Sequence, residues 1–366
     1  MSTLPTSKRT ETASGGRSER NVISLKGRYE LDLWRGTPNY SNVIVTPPFH
    51  TDSKTRKRRN QQMKMFDAEV ELGDEVVIGG LSVFPLTGVR QAGPAYLTGP
   101  EAFEAGMIQV SELDPPEVPS LAIFNLAQVP VLLVEGEMLV GGDQNRTMNV
   151  TVLCPPLVRT VVPVSCVEAG RWGKRRIVSA SSKHAPGSLR AAKTAKLEPR
   201  SHDVSSRRSD QGLIWGEVQR QSMAHDVFSE TSALDDVQEE IEDRLAPELE
   251  KIRTVPGQIG VICTVGEQVI GLDLFDQPST LERYLRSIVA GHALDAPSPS
   301  SSGDPIRAIE HFLAQIDETG RETGRGVGLG EEVLLRGEVA GIGLVYESLL
   351  VHLAAFPTPD ELADAG

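Results

Sequence analysis

Between residues 67 and 170 the chain repeats one device: a short apolar run, rich in Val, then turn residues, then another run. Runs at 76–78 and 81–84 flank Gly79-Gly80, which predicts two strands or one bulged strand. Further runs follow at 121–126, 129–134, 149–153 and 157–167. A parallel βαβ unit needs a crossover of a dozen or more residues between its strands, usually helical. These short intervals leave no room for one, so the pattern predicts an antiparallel sheet or sandwich.

Helices are signalled around and after this block. Thr98 reads as an N-cap, with Pro100 in the first turn, Glu101 completing a capping box and Gly106 ending the helix. Residues 209–252 are helical by spacing: Leu213, Ile214 and Val218, then Val237, Ile241 and Leu245, with Pro247 as an interruption and Ser209 or Asp210 as the cap. In 256–356 a hairpin is predicted at 259–265 and 268–274, helices at 281–290 and 306–316, and strands at 332–336, 341–345 and 349–356. The expected fold is α+β, an antiparallel sheet or sandwich with helices packed on it. It is expected as one domain over 66–358: a β-rich part at 67–170, a basic loop at 171–208, a helical part at 209–252 and an α+β part at 256–356. Residues 1–65, rich in Ser, Thr, Arg and Gly without sustained periodicity, read as a disordered basic tail. Met63 and Met65 at its end suggest a biological start there.

Charge is unevenly placed. The net charge is −13, yet residues 1–65 carry 13 basic and 5 acidic side chains, and residues 171–208 carry 11 basic and 2 acidic. An acidic protein with one internal basic stretch points to a local anion site more than to a nucleic-acid coat. No apolar run reaches the ~18 residues of a membrane span, and no apolar leader opens the sequence. The three cysteines, Cys154, Cys166 and Cys263, form no C-x-x-C pair, so a reducing compartment is the simpler reading. The expectation is therefore a cytoplasmic protein without a membrane partner. Oligomeric state and cofactor are left unknown.

Two constellations carry chemistry. In the first, an apolar strand runs into Glu135-Gly136-Glu137, then Gly141-Gly142, then Gln144-Asn145-Arg146. If the strand continues through Gly136, its period of two puts Glu135 and Glu137 on one face, where two carboxylates suit acid/base work or a metal. Gln144, Asn145 and Arg146 supply donors for a phosphate or carboxylate. The plainer reading is a hairpin with a solvated polar end. The second constellation is 163–168 followed by Gly170-Arg171-Trp172: Glu168 and Arg171 suit an ion pair or a ligand, Trp172 suits stacking on a ring, and Cys166 reads as a small buried hydrophobe. His184 and Arg190 lie in the basic stretch that follows. No metal-ligand spacing is present, so no metal ligand is assigned. The glycines between 324 and 330 do not follow a strand and open a helix, as a dinucleotide loop would.

Taken in order, these two constellations, His184 with Leu189-Arg190, and Ser209-Asp210-Gln211 with Trp215 resemble the ARG and rhodanese-phosphatase-superfamily-associated protein domain, a bacterial domain of unknown function, over about 66–356. The resemblance implies, by the association in the family's name, a role near ADP-ribose or nucleotide metabolism. It implies no reaction. Three functional readings stand. In the first, the domain binds or processes a phosphate-bearing small molecule: Arg146, Arg171 and Arg190 hold the anion, Gln144, Asn145, His184 and Trp172 complete its site, and Glu135, Glu137 or Glu168 supplies a catalytic carboxylate. The second is a non-catalytic interaction or structural module, and the third a metal-dependent hydrolase.

Overall fold

A computed structural model of the chain describes residues 63–65, 68–89, 93–171, 173, 176–197, 207–296 and 304–358. All but its last three residues of the expected basic tail lie outside this set, as does Trp172. The described chain opens with strands β1 (Met63–Met65), β2 (Ala68–Leu72), β3 (Val76–Ile78) and β4 (Leu81–Val89). Then come β5 (Leu97–Thr98), α1 (Gly99–Glu104), β6 (Ile108–Ser111), β7 (Ser120–Asn125), β8 (Val131–Leu133) and β9 (Glu137–Gly142). β10 (Arg146–Met148), β11 (Val152–Cys154), β12 (Arg159–Cys166) and β13 (Arg176–His184) follow, then α2 (Gly187–Thr194), α3 (Gln211–His225), α4 (Leu234–Arg244) and the single turn α5 (Ala246–Leu249). The chain continues through β14 (Gln258–Val265), β15 (Gln268–Phe275), α6 (Pro278–Ala293) and α7 (Ile306–Glu318). It closes with β16 (Gly320–Arg325), β17 (Glu331–Arg336), β18 (Val339–Tyr346) and β19 (Leu349–Pro357).

The fold is α+β and mainly antiparallel. The large sheet has the order β1-β2-β4-β14-β15-β19-β18-β17-β16, with β3 folded back on β4. A second sheet runs β13-β9-β10-β12-β7-β6, and a small one runs β11-β8-β5, in which only β5–β8 is parallel. The second sheet curls so that its two edge strands, β13 and β6, approach each other. No described helix is long and apolar enough to cross a membrane.

Both faces of the large sheet are covered, which explains why β14 and β15 read as nearly unbroken apolar runs. Ile262, Leu272, Leu274 and Leu353 face α7, whose Ile309, Phe312, Leu313 and Ile316 form one stripe at helical spacing. Each such side chain, fully buried, contributes ~1.5–3 kcal/mol. On the other face Val261, Cys263 and Phe275 pack with Leu281, Leu285 and Ile288 of α6. Alternation along β15 therefore turns Asp273, between Leu272 and Leu274, away from α7 and toward α2.

The local signals place several elements. The Thr98 hydroxyl accepts from Glu101 N–H and the Glu101 carboxylate accepts from Thr98 N–H, closing the capping box on α1. Asp210 caps α3, whereas the Ser209 hydroxyl turns to Ser165. The glycines at 324–330 form the connection of the β16–β17 hairpin, where Gly326 N–H donates to Gly330 C=O.

The expected basic loop at 171–208 is corrected by the structure. Residues 176–184 form β13, paired irregularly with β9, and residues 187–194 form α2. Its low apolar content misleads because Arg190 and Lys193 are internal: one helical turn apart, both wholly buried. The presumed continuation of the strand through Gly136 is also corrected. Gly136 adopts φ +86°, ending β8 and starting β9 in a new direction. A Cβ there would lie 2.6 Å from His184 Nε2 and 2.7 Å from Arg190 Nε. Gly136→Ala is therefore expected to cost about 3 kcal/mol or more, the left-handed backbone and the crowding adding together, as read from the urea midpoint.

Candidate functional site

The residues expected to converge on one pocket are sorted into separate groups. The first centres on Arg190. Its Nε donates to Glu135 Oε2 (2.8 Å), and its two terminal nitrogens donate to the two Asp273 oxygens at 3.0 and 2.6 Å. Lys193 Nζ stands 2.6 Å from Glu135 Oε1 and also reaches Met148 C=O. Arg190, Lys193, Glu135 and Asp273 are all wholly buried, two charges of each sign. His352 bridges Asp273 (3.2 Å) and the Thr151 hydroxyl (2.7 Å), which accepts Glu135 N–H. His184 Nε2 donates to Glu135 C=O at 2.8 Å. Burial alone would raise the Glu135 carboxyl, but Arg190 and Lys193 hold it below the usual range. Asp273 is likewise pushed up by burial and drawn well below its ordinary value by Arg190 and the neighbouring histidines. Burial and Arg190 together keep His184 well below the usual histidine value. Each of the three guanidinium nitrogens of Arg190 thus donates to an internal acid, and its charge is matched inside the fold.

The second group closes on itself in the same way. Arg171 grips Glu168 through Nε (2.8 Å) and Nη2 (2.7 Å), and also donates to Gly142 C=O and the Asn145 side chain. Glu168 accepts further from Asn145 N–H and the Thr231 hydroxyl, while Gln144 donates to Glu168 C=O. Burial works to raise Glu168, and these donors bring it below the usual range. Here Glu168, Arg171, Gln144 and Asn145 join the β9–β10 turn to the end of β12.

Arg146 differs. It is 2% exposed, yet its hydrogen bonding among the described residues is one bond from Nε to Val118 C=O (3.0 Å), with Nη1 unpartnered. No described carboxylate stands within ion-pairing distance. Its cross-strand partner is Cys166. Val167 N–H donates to Asn145 C=O, while the Cys166 N–H and C=O are both taken by the Gln211 side chain. Arg146 and Cys166 therefore form a non-hydrogen-bonded pair, the kind whose side chains stand closest. Trp215 of α3 turns its buried indole N–H toward the Cys166 sulfur. Burial pushes the Cys166 thiol up, against the pull of the Glu168 backbone and Arg146. Trp215 and Ala169 border a cavity of about 600 Å³.

Glu137 leaves the Gly136 turn in a direction of its own. Its Oε2 accepts from Val134 N–H (3.1 Å) and lies 3.3 Å from the Tyr284 hydroxyl, while Oε1 has no partner. Among the described residues no basic side chain pairs with it, and burial pushes its carboxyl up to about 8, only partly offset by Val134 and Tyr284. Among the described residues no group of three or more His, Cys, Asp or Glu side chains is arranged to hold a metal ion.

The model of one protein family, the ARG and Rhodanese-Phosphatase-superfamily-associated Protein domain, matches residues 69–356. The chain belongs to this family. Among curated proteins and among solved structures, none matches it significantly. The matched span takes in Arg190, Glu168, Arg146 and Glu137 with all their partners.

Sequence reasoning missed several members of these groups. Lys193, Thr151, Asp273, His352, Tyr284 and Trp215 were not among the predicted site residues. Asp273 did carry a signal: a lone acid in an otherwise apolar strand must meet a buried partner. Nothing local announces the contact of Glu137 with Tyr284, 147 residues away.

Two outcomes follow for this domain. Asp273→Ala, which strands half of the Arg190 charge, should cost ~3–5 kcal/mol in urea unfolding. Glu137 sets a pH dependence of opposite sense to Glu135 and Asp273. The folded chain keeps on Glu137, up to pH about 8, a proton that the unfolded chain releases above about 4.5. Its stabilising contribution is therefore complete below about 4.5 and is lost as pH rises toward 8. Relative to Glu137→Gln, the wild-type stability should fall by up to ~1.4 kcal/mol per pH unit across that window. Urea unfolding of both proteins at pH 5, 6, 7 and 8 checks it.

Proposed function

We propose that this domain binds an anionic, phosphate-bearing small molecule, of the nucleotide or ADP-ribose class, at Arg146. The observation that carries this reading is the buried guanidinium without a described carboxylate partner. A charge out of water is costly unless paired, and every other buried cation discussed above has an acid against it. The missing counter-charge is the ligand's. Trp215 lies across Cys166 from it, and the cavity Trp215 borders has the volume of a small-molecule site. The family's name, which joins the domain to ADP-ribosylglycohydrolases and to the rhodanese-phosphatase superfamily, favours a phosphate-bearing ligand by association. Arg171, Arg190 and His184 act in this reading as positioning residues, and Glu168 orients the turn that carries Arg146.

A second reading, a structural or interaction module without a ligand, is supported by the closed Arg190 and Glu168 groups. The two readings differ in what Arg146→Met does. If Arg146 waits for an anion, the variant should be no less stable than the wild type without ligand, because an uncompensated buried charge is removed. The wild type should show a rise in melting temperature with ADP-ribose or inorganic phosphate that the variant lacks. Loss of stability in Arg146→Met, with no ligand response in either protein, would favour the structural module instead.

A further inference from the structure

Glu137 opens onto a different cavity, of about 390 Å³, between α1, β13, α4 and α6. Its charges reduce to a simple balance. Lys183 of β13 is already paired with Asp235 (2.8 Å), and Arg283 of α6 with Glu101 (3.2 Å). Arg286 has no ion pair among the described residues. Against this one open cation stand Glu104 of α1, Glu242 of α4 and Glu282 of α6, none of them ion-paired with a described residue, and Glu137 itself.

Glu137 is the independent sign that this acidic rim surrounds a site. It is 2% exposed, and its Oε1 is unpartnered. That oxygen has room only because residue 99 is glycine: a Cβ there would lie 2.5 Å away. Tyr284 does not neutralise the carboxyl. Its hydroxyl accepts from Gly99 N–H (3.0 Å) and lies 3.1 Å from Leu132 C=O, and its ring stacks on Phe275. The remaining titratable neighbour, the Cys154 thiol, is itself held protonated by burial and by Glu137.

We propose that this cavity binds a small organic cation, an amine or guanidinium, and that Glu137 gives up its proton to pair with it. The acidic rim draws the cation in, and Glu137 Oε1 at the floor accepts its N–H. Ionisation of Glu137, unfavourable in the empty cavity, becomes favourable once a positive charge lies beside it. The proton leaves to solvent, so binding and proton release are one event.

Isothermal titration calorimetry with agmatine and spermidine, in two buffers of different ionisation enthalpy at pH 7, tests this. The expected result is saturable binding with release of between about 0.5 and 1 proton, and an affinity that rises up to ~10-fold per pH unit from pH 6 to 7.5. Glu137→Gln should weaken binding at least ~10-fold and abolish the proton release, whereas Glu242→Gln should weaken it and leave the release intact. Arg146→Met should change neither. The proposal is overturned if no cation binds saturably, if binding releases no proton, or if Glu137→Gln binds as well as the wild type. It is equally overturned if inorganic phosphate or ADP-ribose, not the amines, gives the heat that Glu137→Gln loses. Should Glu137→Gln fail to fold, proton release and the pH slope of the wild type decide the matter alone.

Discussion

A guanidinium sealed from water has to be matched atom by atom, and Arg190 shows what that requirement does to a fold. One carboxylate that meets it comes from the turn after β8, the other from the middle of β15. The helix that carries it, α2, is therefore tied both to the large sheet and to the two smaller ones. Its neighbours inherit the constraint. Gly136 has no space for a side chain, His184 is fixed on the Glu135 carbonyl, and His352 and Thr151 complete the circuit. Arg190 also lies over the ring of Phe356, 4.9 Å from its centre, so β19 is held by the same side chain. Such a network is weak evidence for extra stability, since its desolvation cost is large. It is strong evidence for one specific arrangement of α2 against the sheets.

The parts of this fold that were legible in the sequence are those decided locally. The capping box of α1, the β14–β15 hairpin, the interruption at Pro247 and the antiparallel rhythm before residue 170 each depend on a few consecutive residues. The parts that were not legible depend on partners far along the chain. Residues 187–194 look like solvated loop because charged residues usually are solvated, and only Glu135 and Asp273 explain why Arg190 and Lys193 are not. The candidate site was legible as a list of residues and not as an arrangement. The arginines and acids were picked out, but spacing says nothing about which of them neutralise each other, and Arg190 with Glu135, and Arg171 with Glu168, do so.

Glu135 and Glu137 show how far environment outweighs residue type. They flank a single glycine, yet Glu135 is held ionised by two cations while Glu137, with none, keeps its proton into the neutral range. The left-handed Gly136 sends one carboxyl toward α2 and the other toward α6. An uninterrupted strand, one of the arrangements the sequence left open, would have put both on one face and in one electrostatic environment.

Arg146 and Glu137 are two buried ionisable groups without an ion-pair partner among the described residues, and their placement sharpens the point. Leu139 lies directly opposite Arg146 on the paired strand, and Glu137 is two residues before Leu139. The two are therefore diagonal neighbours on one face of the β9–β10 pair, ~7–8 Å apart at the backbone and within reach of two long side chains of opposite charge. They nevertheless turn apart, Arg146 toward Val118 and Glu137 toward Val134 and Tyr284. Apolar residues of similar size at both positions would remove the cost altogether. Keeping these two apart, in a core where Arg190, Lys193 and Arg171 each meet an acid, is what sets them off as the positions where the proposed ligands would supply the opposite charge.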